Sequence, residues 1–164
     1  MLTVMSQVAT VLNQTSDASL FSGEATNVKD AFNAQFLSPT AGHYVGVGDS
    51  GYRQTHNILS LAFDLVPNAS VTQTVSDSIA NDILARGTHL NTGALGTKFL
   101  LPVLSDFGHE DVAFAVIQQT TFPSWGYWIE NGATTMASYL LCLLFVQIIY
   151  FLIVGTLALD RSLP

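Results

Sequence analysis

The sequence predicts an all-α fold of stacked helical hairpins. Apolar residues recur at helical spacing through the first 120 residues. The links between the resulting helices alternate short and long, which pairs consecutive helices as antiparallel hairpins. A separate run, Met136 to Leu159, predicts a hydrophobic C-terminal helix: of its 24 residues only Ser138, Gln147, Gly155 and Thr156 fall outside the apolar set, and none is charged. Stacked hairpins without strands leave two architectures open, a helical solenoid or a closed toroid.

Each element has its own signature. Met5, Val8 and Leu12 share one face of a first helix. Val28, Ala31, Phe32, Gln35 and Phe36 form a similar stripe in a second, which Ser22 can cap and Pro39 stops. Ile58, Leu61, Ala62 and Leu65 mark a third, ended before Pro67. The fourth opens on the capping box Ser70-Val71-Thr72-Gln73, in which hydroxyl and amide satisfy free backbone N–H groups. It carries Val71, Val75, Ile79 and Ile83 on one side and stops at Gly87, a residue suited to the left-handed turn that ends helices. A fifth helix covers about Thr97 to Asp106. A sixth starts near His109, with Glu110 and Asp111 in the first turn, where the helix dipole favours negative charge.

The connections carry more functional information than the helices. Only Pro67 to Ser70 separate the third and fourth helices, and only Phe107 and Gly108 the fifth and sixth, whereas Ser38 to Gln54, Thr88 to Gly96 and Thr121 to Thr135 are long. Alternation of this kind places all the long loops at one end of the row of hairpins. That end would hold His43, Tyr44, Asp49 and Tyr52 from the first loop, His89 and Asn91 from the second, and Phe122, Trp125, Tyr127, Trp128 and Glu130 from the third. Loops gathered at one mouth of a rigid helical scaffold are how such a scaffold builds a ligand site.

Composition removes several function classes. With 12 acidic against 5 basic residues the formal charge is −7, so the chain lacks the basic stripe a nucleic-acid binder needs. One cysteine forms neither a disulfide framework nor a multi-cysteine zinc cluster. The histidines at 43, 56, 89 and 109 include no i, i+4 ligand pair, so no metal is expected. Gly46-Val47-Gly48 and Gly93-x-x-Gly96 lack the strand context of nucleotide-binding loops, and no cofactor is expected. The start MLTVMSQVATVLNQ has neither the basic beginning nor the apolar core of a signal peptide. Asn13 and Asn68 sit in Asn-x-Ser/Thr triplets that a chain rich in these residues produces by chance.

Aromatic planes beside hydrogen-bonding groups suit a sugar, whose C–H faces pack on rings while its hydroxyls need donors and acceptors. His89, Asn91, Trp125, Trp128 and Glu130 offer that mixture and are the candidate substrate-binding residues. Two structural roles compete: the tryptophans can plug the end of the core, and His89 can fix its loop. Glu110 and Asp111 are adjacent and point apart on a helix, which suits dipole capping rather than paired acid–base work.

The run Gly87-Thr88-His89-Leu90-Asn91-Thr92-Gly93-Ala94-Leu95-Gly96-Thr97-Lys98-Phe99-Leu100-Leu101-Pro102-Val103-Leu104-Ser105 resembles the "HLxTGxxGTxxLLPxLS" segment of bacterial and fungal α-L-rhamnosidases. At matching distance follow Phe122-Pro123-Ser124-Trp125-Gly126-Tyr127 and Gly132-Ala133-Thr134-Thr135, similar to that family's "YPSW" and "GATT" stretches. Tyr52-Arg53-Gln54-Thr55 and Leu59 to Pro67 resemble its Gln-Thr helix, so the likeness covers most of residues 1 to 136. It implies part of an (α/α)6 toroid, the six-hairpin glycosidase fold. The activity it implies is removal of terminal α-L-rhamnose from rhamnosides by inversion, with an acid at the leaving oxygen and a base on a water across the ring.

The departures from the family concern catalysis and the C-terminal run. No stretch of this chain matches the motif of the family's general acid. Its base is a glutamate in a Trp-Glu pair one residue beyond "GATT", where this chain reads Thr135-Met136-Ala137-Ser138, and Ser138 cannot take a proton at neutral pH. No catalytic residue is therefore assigned, and the chain is expected to be silent alone. From Ala137 the resemblance stops. At ~1.5 Å per residue the 24-residue run spans roughly 36 Å, more than the ~30 Å bilayer core. The expected organisation is a glycosidase fragment over 1–136, a candidate transmembrane helix over 137–159 and a short tail over 160–164, with a membrane location. In the family's frame this run replaces the next helices of the barrel, as a mis-spliced reading frame would. The rival reading is a tail-anchored helical-repeat interaction protein without hydrolase activity.

Overall fold

In the computed structural model, residues 1–49 and 51–134 are described. Their helices are α1 (Leu2–Val11), α2 (Thr15–Phe36), α3 (Gln54–Ala62), α4 (Ala69–Ala85), α5 (Gly93–Asp106), α6 (Glu110–Gln118) and α7 (Trp125–Glu130). No strand occurs among the described residues beyond two isolated bridges, Leu37 with Tyr44 and Gly46 with Asp49. The fold is all-α, as the helical periodicity predicts.

Boundaries moved where local chemistry allowed two starts. α2 begins at Thr15 rather than near Ser22, because Thr15 to Phe21 carry no helix breaker and Asp17 suits the first turn. α4 is capped by Asn68, whose side chain accepts the N–H of Val71 at 3.0 Å, so Ser70 lies inside the first turn instead of capping it. α5 starts at Gly93, four residues ahead of Thr97, whose hydroxyl is turned back onto the Gly93 carbonyl at 2.5 Å. α3 ends at Ala62, and Asp64 takes a left-handed φ of 53°. The stretch expected as a third long loop contains α7, capped by Ser124 through the N–H of Tyr127.

Hydrogen bonds fix the directions of the helices. Thr55, at the start of α3, donates its hydroxyl to the carbonyl of Thr92, just before α5, and the rings of Phe63 and Phe99 meet further along at 5.3 Å. α3 and α5 are therefore side by side and parallel. Gln119, after α6, donates to the carbonyl of Gly87, after α4, so α4 and α6 also run together. Tyr52, ahead of α3, bonds Ser78 in α4 at 2.9 Å, and Gln54 bonds Asp82, which sets α4 antiparallel to α3. Two layers result, α3 and α5 in one, α4 and α6 in the other, each hairpin closed by a short turn. The core lies between them: Ile58, Ile79, Ile83, Leu100 and Val116 are fully shielded.

The first hairpin is different. α2 has no buried residue, and the predicted stripe of α1 is exposed, with Met5, Val8 and Leu12 at 40, 52 and 64%. The periodicity correctly marks a helix, yet the apolar face is not covered.

The membrane location expected from the C-terminal run is corrected. Among the described residues no helix is long and apolar enough to cross a membrane. α2 has the length, about 33 Å for 22 residues, but Asp17, Glu24, Lys29 and Asp30 interrupt it. The hydrophobic helix expected over 137–159 lies outside the described residues.

Candidate functional site

The long loops converge at one end, where α3, α5 and α7 begin and α4 and α6 finish. After α4 the chain takes two successive left-handed residues, Gly87 at φ 66° and Thr88 at φ 64°. A β-branched residue there is unfavourable, so Thr88 is held by its surroundings. Its hydroxyl donates to the Gly87 carbonyl at 2.6 Å and accepts from Gln119 Nε2 at 3.1 Å.

Gln119 joins the second and third loops. Its Nε2 donates to the Gly87 carbonyl at 2.9 Å, and its Oε1 accepts the N–H groups of Thr120 and Thr121, each at 3.0 Å. His89 adds a second tie, because its Nδ1 donates to the Arg86 carbonyl at 2.7 Å and its Nε2 lies 2.8 Å from Thr121 Oγ1. A third is the N–H of Leu90 on the carbonyl of Pro123. The loop-fixing role anticipated for His89 is thus present.

Beneath these loops runs a buried polar line. Gln54 is fully shielded: its Nε2 donates to Asp82 Oδ2 at 2.8 Å and its Oε1 accepts the N–H of Asn91 at 3.0 Å. The same Asp82 oxygen holds Arg86 Nε at 2.8 Å, so one carboxylate orients both the amide and the guanidinium. On the first loop Asp49 pairs with Arg53 at 2.7 Å, which holds the Asp49 carboxyl below its usual range, while burial pushes the Tyr52 hydroxyl above its ordinary value.

The result is an open recess of about 320 Å³ lined by Arg86, His89, Leu90, Asn91, Phe122 and Pro123. It joins hydrogen-bond donors to one aromatic ring, a combination that suits a sugar ring and its hydroxyls. Of the candidates, His89 and Asn91 are brought together here. Trp128 is 9% exposed within the core, Trp125 is half-buried against that core, and Glu130 is exposed at the far end of α7. None of these three lines the recess. Arg86, Asp82, Gln119 and Thr121 are not among the candidates read from the sequence, and Gln54 enters there only through the Gln-Thr stretch. Their signals were faint, a Gln-Thr pair opening α3 and the polar run Gln118 to Thr121 after an apolar helix. Among the described residues no three His, Cys, Asp or Glu side chains are placed to hold a metal.

The family model of the bacterial α-L-rhamnosidase six-hairpin glycosidase domain matches residues 1–139. An α-L-rhamnosidase of Streptomyces avermitilis is 41% identical over 120 residues, covering 73% of this chain and 11% of that protein. The solved α-L-rhamnosidase of Dictyoglumus thermophilum superposes with a TM-score of 0.72 at 36% identity, over 82% of this chain and 15% of its own. The Streptomyces avermitilis enzyme complexed with L-rhamnose superposes at 0.69 with 37% identity, over 80% and 12%. The chain thus spans little more than a tenth of the length of these relatives. These matches do not favour the helical-repeat interaction protein, nor do they support a membrane placement. By sequence over most of its length, and by the paired helical layers just described, the chain belongs to the α-L-rhamnosidase six-hairpin glycosidase family, of whose domain it carries a part.

Proposed function

We propose that this part of the toroid supplies one side of the sugar-binding mouth of an α-L-rhamnosidase, engaging a terminal α-L-rhamnosyl group, and that it does not complete catalysis alone. The observation carrying the proposal is the recess, in which Arg86, Asn91 and Phe122 converge on loops that Gln119 and His89 lock together. His89, Asn91, Trp125, Trp128 and Glu130 stay the proposed substrate-contacting set. His89 and Asn91 line the recess, whereas Trp125, Trp128 and Glu130 lie on α7 away from it, and their place in the set rests on their chemistry alone.

Inverting hydrolysis needs an acid and a base about 6.5 to 9.5 Å apart across the sugar. The recess lining holds no carboxylate: Asp82 is engaged by Gln54 and Arg86 behind it, and Glu130 lies at the other end of α7. The base position of the family is occupied by Ser138 in this sequence. Loss of an acid or a base each removes ~10²- to 10⁴-fold in rate, so the chain binds rather than turns over.

Titration of the chain with L-rhamnose should shift the amide resonances of Leu90 to Thr92 and Thr120 to Phe122, while an aryl α-L-rhamnoside is not hydrolysed above background. Shifts elsewhere, or none at millimolar sugar, would reject the mouth. Turnover that disappears in Glu130→Gln would reject the silence and give that carboxylate a catalytic role.

A further inference from the structure

Arg86 ends α4 and is the one Asp, Glu, Lys or Arg in the lining of the recess. Its Nε donates to Asp82 Oδ2 at 2.8 Å, while neither Nη group makes a hydrogen bond among the described residues. A guanidinium carries donors on every nitrogen, so most of its capacity is unspent. The pair is unequally shielded: the Arg86 side chain is 43% exposed and that of Asp82 15%. Asp82 also accepts from the buried Gln54, so the carboxylate sits beneath and the guanidinium is the partner that solutes can reach.

The other polar groups of the lining divide into committed and free. Both ring nitrogens of His89 are taken, by the Arg86 carbonyl and the Thr121 hydroxyl. The N–H of Asn91 is held by Gln54, whereas its exposed side-chain amide makes no hydrogen bond among the described residues. A neutral amide of that kind already serves sugar hydroxyls. A guanidinium held flat by Nε offers something further, a planar pair of donors that matches the two oxygens of a carboxylate. No acidic side chain in the lining opposes an anion there. We propose that Arg86 makes the recess select a sugar that bears a carboxylate, a uronic acid, held by N–H···O bonds from the Nη groups. The proposal rests on the reading of the recess as part of a sugar-binding mouth and adds the substrate class: rhamnosides in which the rhamnosyl group is joined to a uronate.

The test titrates the full 164-residue chain with D-glucuronate, its neutral methyl ester and D-glucose, three sugars of one ring shape of which only the first is charged. Glucuronate should saturate a single site and shift the amide resonances of Leu90 to Thr92 and the Nε–H resonance of Arg86. It should bind about tenfold more tightly than either neutral sugar, as one charge-assisted contact at a half-exposed site predicts. Added salt should shrink that advantage without weakening glucose, a measurement on the parent that needs no variant to fold. In Arg86→Gln glucuronate should fall to the level of glucose. Equal binding of the three sugars in the parent would overturn the proposal, as would an advantage that survives Arg86→Gln. So would acetate binding as tightly as glucuronate, because the recess would then hold any small anion. Shifts of Leu90 to Thr92 by L-rhamnose without glucuronate binding would overturn the selection by Arg86 and leave the rhamnose mouth standing. Selective glucuronate binding with no response to L-rhamnose would support the uronate site and reject the rhamnose mouth.

Discussion

Asn57 lies on α3 fully shielded from solvent, its carbonyl oxygen accepting the N–H of Tyr44 at 2.8 Å and its amide donating to the Arg53 carbonyl at 3.0 Å. Asn57→Ala leaves the buried N–H of Tyr44 without its partner, and should lower stability by about 1 to 3 kcal/mol in urea denaturation. Tyr44 itself is buried and donates its hydroxyl to Asn33 at 2.6 Å, and burial raises its pKa from 10.0 to about 12. A folded-state value above the unfolded one means that this stabilisation is complete below pH 10 and is lost as the pH rises towards 12. Denaturation midpoints should fall over that window, and Tyr44→Phe should flatten the fall. Gly126 gives the opposite lesson to the usual helical glycine. Alanine is normally better in a helix by ~1 kcal/mol, but a Cβ here would stand 2.5 Å from the carbonyl oxygen of Gln119. Gly126→Ala should therefore lower the Tm, and with it the hold of α7 on the loop after α6. An unchanged or raised Tm would show that this loop is free to yield.

Elements are set by caps as much as by stripes. Asn68 and Ser124 each accept an N–H three residues on, at 3.0 Å. Asn68 is exposed, so Asn68→Ala should cost about 1 kcal/mol, whereas Ser124 is fully shielded and Ser124→Ala should cost about 2 and speed amide exchange through α7. Equal effects at the two caps would contradict the difference in burial. The same pair shows what was legible at this scale. Apolar spacing located six helices, because a stripe is a local property of about three turns. It missed the cap at Asn68 because Ser70 offers an equally good side chain two residues later, and it missed α7 because six residues are too short to display a stripe.

The molecule as a whole is held at its functional end by Gln54, which links α3 to α4 through Asp82 and to the second loop through Asn91. Gln54→Glu would place a second carboxylate where Nε2 now lies 2.8 Å from Asp82. Like charges at that distance raise the pKa of the pair, so the variant should be close to the parent near pH 4 and increasingly less stable towards pH 7. A deficit independent of pH would mean that the introduced carboxylate escapes to solvent. The amino-acid sequence alone determined the all-α class, the helical hairpins, the gathering of long loops at one end and, through ordered motifs from Gly87 to Thr135, the family. It also marked His89 and Asn91, because polar residues in a glycine-bounded loop stand out locally. Only the tertiary structure decided that Trp128 belongs to the core, that the α1 stripe is uncovered and that Gln54, Asp82, Arg86 and Gln119 build the floor and ties of the recess. The reason is one of range. A helix is chosen by neighbours three or four residues apart, whereas Gln54 meets Asp82 across 28 residues and Asn91 across 37, and such meetings exist only once the layers have packed.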